Sequence, residues 1–146
     1  TMGGESRMGT ELLELRFASD ASCLKEVRKK VKEVVSEVVA AKKIVSDVQL
    51  AVSEACMNVI MHGYKGEYDH EILLQIRNMD GVLEILLTDY AEPIDINKVR
   101  HRHLDDIRPG GLGTFLMSEL MDKCEYTHLQ QGPGNVLRMT KKIIPV

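Results

Sequence analysis

Glu54 and Asn58 stand four residues apart in a helix-sized stretch, so on a helix they share one face. A carboxylate there can take a proton from water or from a hydroxyl nucleophile. The amide oxygen beside it suits a hard cation such as Mg²⁺, giving one ligand among phosphates and waters. His62 continues the same face one turn on, next to Gly63, where an imidazole complements the end of a helix dipole. Asp89 closes an apolar run, and an acceptor at such a position can bind the exocyclic N–H of a purine and reject a base that lacks it. Gly110, Gly111, Leu112, Gly113 and Thr114 open a further apolar segment. Bare backbone N–H groups at that kind of helix start can hold phosphate, and Thr114 adds a hydroxyl. Singly, these residues read as a solvated charge, a capping amide, a turn aspartate and a flexible loop. Together they read as a nucleotide site.

The elements that must position them follow from periodicity. Residues 11–17 partly alternate and read as a strand. Ser19 and Asp20 are N-cap candidates for a helix whose Leu24, Val27, Val31, Val34, Val35 and Val38 recur at helical spacing. After a break near residues 40–44, Ser46 and Gln49 fit a capping box, which predicts a second helix over 47–62. Its packing stripe is Val48, Val52, Ala55 and Val59, with Glu54 and Asn58 beside it. Residues 63–67 read as a loop. Residues 71–77 and 82–88 read as strands, joined by a turn that ends in Asp80-Gly81, a hairpin signal. Residues 91–109 turn polar and long, which suits a functional lid. A third helix is predicted over 112–122, then a hairpin of residues 126–130 and 135–142. The order predicts an α+β fold: a two-layer sandwich with a mixed sheet and helices on one face. Neither G-x-x-x-x-G-K-[ST] nor G-x-G-x-x-G occurs, which excludes Walker-type and Rossmann readings.

Composition sets the outer bounds. The chain of 146 residues is 44% hydrophobic and 28% charged, an ordinary globular balance for one domain with its own core. A net charge of −3 argues against a nucleic-acid surface. No apolar run is expected to span a bilayer, and no leader is read at the N-terminus. Residues 1–9 are expected to be a flexible N-terminus, in part a cloning remnant, and residues 10–146 a single domain. Cys23, Cys56 and Cys124 are widely spaced and odd in number, which favours reduced, structural thiols. His101 and His103, with Asp105 and Asp106, need no metal in a polar loop.

In this order and spacing the segments resemble the GHKL ATPases, the superfamily of gyrase, the heat-shock chaperone, histidine kinases and mismatch-repair ATPases. Glu54 and Asn58 resemble its N box, Asp89 opens its G1 box, and Gly111-Leu112-Gly113 resembles its G2 box. Within the superfamily the likeness is greatest to bacterial anti-sigma factor serine kinases. It is carried by residues 50–64 (LAVSEACMNVIMHGY), 89–95 (DYAEPID) and 110–122 (GGLGTFLMSELMD), and it extends over about residues 12–143.

The resemblance implies a histidine kinase-like (Bergerat) ATPase fold that binds ATP and Mg²⁺. It implies Glu54 as base, Asn58 as Mg²⁺ ligand and Asp89 as adenine reader. Gly111 and Gly113 would hold phosphate, with His62, Ala91, Gly110, Leu112 and Thr114 completing the nucleotide contacts. It implies a cytoplasmic protein-serine kinase that sequesters a sigma factor and phosphorylates a serine on a STAS-type anti-anti-sigma protein. A homodimer through the sheet is expected, with no nucleic acid and no membrane as partner. Two positions depart from the family pattern. Ala91 stands at the G1 glycine, and Asn135 or nearby polar groups stand in for a late threonine that helps bind adenine. Both are expected to weaken nucleotide binding without abolishing it. The rival reading is a protein-binding module that uses nucleotide as a conformational ligand or not at all. A severed histidine-kinase catalytic domain is disfavoured, because it would need a phosphoacceptor helix.

Overall fold

In the computed structural model, which describes residues 9–96 and 116–143, apolar residues of the central strands alternate between a buried and a more exposed face. In β2 (Glu71–Asn78), Ile72, Leu74 and Ile76 are fully buried while Leu73, Gln75 and Arg77 are partly exposed. In β3 (Val82–Asp89), Leu83, Ile85 and Leu87 take the buried face. With β1 (Thr10–Ala18), β4 (Lys123–His128) and β5 (Asn135–Lys142) they form one sheet in the order β1-β2-β3-β5-β4. The turn between β2 and β3 has Asp80 at φ 56° and Gly81 at φ 90°, between Met79 and Val82, which bond to each other. Two successive positive φ values match the twist of a tight hairpin, as the Asp-Gly pair predicts.

The two-layer α+β sandwich is as expected, but the sheet is antiparallel at every pairing among the described residues rather than mixed. The connection from β1 to β2 explains one pairing. Helices α1 (Leu24–Ser36) and α2 (Lys42–Asn58) are joined by only residues 37–41, which makes them antiparallel neighbours. One pass away and one pass back return the chain to the end where β1 finished. β2 therefore runs opposite to β1.

Asp20 accepts the Ser22 N–H at 2.9 Å and starts the turn before α1, as its cap position predicts. Leu24, Val27, Val31 and Val35 then form one buried stripe. In α2 the expected capping box is absent. The helix begins at Lys42, Ala41 precedes it without a side-chain cap, and Gln49 donates instead to the carbonyl of Arg28 at 3.0 Å. Val45, 7% exposed, is already buried in the early helix, and Lys43 pairs with Asp47 one turn on at 3.0 Å. Burial and that pair carry the helix upstream of Ser46. At its other end the helix widens over Val59–Gly63: the Tyr64 N–H reaches the Val59 carbonyl, five residues back, at 2.8 Å. Such π-type turns recur at functional sites.

By length and composition the helix over Lys42–Gly63 could cross a membrane, contrary to the expectation that no such segment exists. Its apolar side is core: Val48, Ala51, Val52, Ala55 and Cys56 are 0–1% exposed and pack in one cluster with α1 and the inner sheet face. Each fully buried valine, leucine or isoleucine contributes about 1.5–3 kcal/mol. β4 starts three residues earlier than predicted, and residues 116–120 are helical, placing Met117 in the core.

Candidate nucleotide-binding site

Asp89 is the last residue of β3 and is 6% exposed. The strand register sets it opposite Asn135, the first residue of β5. Asn135 Nδ2 donates to Asp89 Oδ1 at 3.0 Å, and the Ala91 N–H donates to the same oxygen at 3.0 Å. Burial pushes the Asp89 carboxyl above the ordinary aspartate value, while these two bonds pull it back toward the ionised form. The chain before Asn135 approaches so closely that a Cβ on Gly134 would lie 2.6 Å from the Asp89 carbonyl oxygen. Gly134 also has φ +149°, where side chains are rare.

The end of α2 docks on this turn. Tyr64, 5% exposed, donates its hydroxyl to the Glu71 carbonyl at 2.7 Å and accepts the Tyr90 N–H at 2.7 Å. One phenol thus ties the start of β2 to the residue after Asp89, and burial raises its pKa. Ala91 is 6% exposed, and its methyl lies 3.5 Å from where a Gly63 side chain would begin. The Ala91 methyl therefore packs on the helix end.

Glu54 and Asn58 lie along α2 from this junction, both partly exposed. Asn58 Nδ2 is fully enclosed and has no hydrogen-bond partner among the described residues. A buried amide left so costs about 1–3 kcal/mol, and its oxygen and nitrogen exchange places by a simple flip. An amide nitrogen with no partner among the described residues, one turn from a carboxylate, fits a ligand set in which a hard cation and phosphate oxygens complete the bonding. His62 is exposed in the π-type turn. Gly110, Gly111, Leu112, Gly113 and Thr114 lie outside the described residues.

The structure thus brings Asp89 and Ala91 against the end of the helix that carries Glu54, Asn58 and His62. Three residues, Tyr64, Asn135 and His128, take part in ways that the sequence motifs do not show. Tyr64 falls in a stretch that reads as a loop, where an aromatic among Gly63, Lys65 and Gly66 is itself a signal of burial. Asn135, bonded to Asp89, and His128, whose Nε2 bonds the Ile94 carbonyl at 2.7 Å, act through partners distant in sequence, which no local pattern shows. Cys56 is buried and Cys124 partly so, and burial pushes their thiols up to about 12 and about 11, away from the reactive thiolate.

A family model described as the histidine kinase-like ATPase domain matches residues 17–141. The chain belongs to this family. Its histidine kinase-like fold is shared with a chain of the SiaB–SiaC complex from Pseudomonas aeruginosa, at a TM-score of 0.70 and 15% identity over 95% of this chain and 94% of that one. The histidine kinase-like domain is also similar in sequence to serine-protein kinase RsbW of Halalkalibacterium halodurans, 33% identical over 105 residues. That match covers 66% of this chain and 62% of the relative, so it spans under two thirds of the relative's length. RsbW of Bacillus pumilus is 28% identical over 141 residues, covering 90% of this chain and 85% of that protein.

Proposed function

We propose that this histidine kinase-like domain is an ATP-dependent protein-serine kinase. In this reading it also sequesters a sigma factor and phosphorylates a STAS-type anti-anti-sigma protein in the cytoplasm. The observation that carries the proposal is the enclosed Asn58 Nδ2, unpartnered among the described residues and one turn from Glu54, on a helix whose end docks on the turn that follows Asp89. Serine-protein kinases among the relatives support the choice of reaction.

Each residue has one task. Glu54 accepts the proton of the partner's serine hydroxyl as the serine oxygen bonds the γ-phosphorus of ATP and the bond from that phosphorus to the ADP oxygen breaks, releasing ADP. Asn58 offers its amide oxygen to Mg²⁺. Asp89 accepts the exocyclic amine of adenine, and the backbone of Gly110–Gly113 with Thr114 holds phosphate. Bound Mg²⁺-ATP supplies the phosphoryl group and neutralises its charge. The protein's share is positioning and a base, which is most of what phosphoryl transfer needs.

The deciding experiment uses labelled ATP and a STAS-type partner that carries an acceptor serine. Transfer is expected with the native chain. Glu54→Gln is expected to lose about 100-fold or more in transfer rate while retaining ATP binding. Normal transfer by Glu54→Gln would remove it as the base. ATP binding without transfer to any partner would favour the rival reading, a nucleotide-gated binding module.

A further inference from the structure

Both polar hydrogens of the Asn135 amide are committed to protein. Nδ2 donates to Asp89 Oδ1 at 3.0 Å and to the Glu92 carbonyl at 3.1 Å, and Oδ1 accepts the Ile94 N–H at 2.9 Å. Acceptors on one side and a donor on the other leave one consistent orientation for this amide. The residue is 2% exposed. Opposite it in register on β4, His128 donates from Nε2 to the Ile94 carbonyl at 2.7 Å. A single cross-strand pair therefore holds both the N–H and the C=O of Ile94. The imidazolium and the neutral ring protonated at Nε2 can both make the His128 bond.

We propose that Asn135 and His128 are a positioning pair. They fasten the chain at Ile94, and the same amide aims the Asp89 carboxylate at the purine. This rests on Asp89 being the purine acceptor. With both N–H groups engaged, Asn135 has no donor left for a base and acts through Asp89. Among the described residues both bonds to the carboxylate fall on Oδ1, which leaves Oδ2 as the oxygen for an incoming N–H. A threonine at 135 offers one hydroxyl, too few groups to replace the three contacts of the amide.

Amide hydrogen exchange on the nucleotide-free full chain tests this, alongside calorimetric titrations with ATP and GTP. In Asn135→Thr and Asn135→Ala, exchange at Ile94 and Ala91 is expected to quicken on the order of tenfold, the effect of about one hydrogen bond. Ile76 and Ile85 in the strands should stay protected. ATP affinity and the preference for ATP over GTP should fall together. His128→Ala should quicken Ile94 and leave Ala91 as it was.

Unchanged exchange at Ile94 and Ala91 in an Asn135 variant overturns the proposal. If that variant also loses ATP, Asn135 is instead a direct base ligand. Should Ile76 and Ile85 lose protection, the sheet itself has failed, and exchange at Ile94 in His128→Ala decides. A native chain that binds neither nucleotide would sink the ATP-site reading. The exchange measurements need no ligand and would still decide the fastening.

Discussion

Asp89 is an acid placed where ionisation is disfavoured by burial, with two donors on one oxygen to offset that cost. Its native pKa lies above the ordinary value, so the native state holds the proton more tightly than the unfolded chain does. The stability linked to this proton is therefore full below the ordinary aspartate range and is lost as pH rises through the native value. Asp89→Asn keeps an oxygen to accept both donors and removes the charge. It should raise the melting temperature near neutral pH, with the gain shrinking as pH falls, in thermal unfolding followed at several pH values. The same variant should bind ATP on the order of tenfold or more weakly, because an amide turned to suit Asn135 and Ala91 presents N–H toward the base. The type and place of Asp89 were legible from the sequence, as the acid that ends an apolar run. The partner that aims it was not, because Asn135 lies 46 residues away and only strand register joins them.

Among the elements, those with strong periodicity were legible and those with competing local signals were not. The valine stripe of α1 and the Asp-Gly hairpin appear as the sequence predicts. The start of α2 does not, since Ser46 and Gln49 imitate a cap while Val45 is already buried in the helix. The start of β4 is not legible either, because its first residues include Lys123 and Glu125, which are exposed on a sheet edge and interrupt the apolar pattern. The β4–β5 turn carries a test of how tightly an element fixes the site. Gly134 combines φ +149° with close approach to the Asp89 carbonyl and the Leu129 side chain. Gly134→Ala should cost about 1–3 kcal/mol in chemical denaturation and weaken ATP binding with it. Gly132, in the same turn, has open space around it, so Gly132→Ala should meet only its own backbone strain at φ +75° and spare ATP binding.

At the scale of the whole molecule, one apolar cluster joins both long helices to the inner face of the sheet. Ile85 lies in the middle strand of five and is 0% exposed. Ile85→Ala should lower stability by about 2–5 kcal/mol, read from the denaturation midpoint at unchanged slope. That the chain would make one sandwiched domain was legible from its alternating strands and valine-rich helices. The antiparallel course of the sheet was not, because it depends on how many times the chain crosses the layer. The strand order has a further consequence for biosynthesis. β5 is made last yet lies between β3 and β4. On the ribosome the edge of β3 stays bare until β5 emerges, and a stall in translation before that strand would leave a sticky three-stranded nascent sheet open to aggregation.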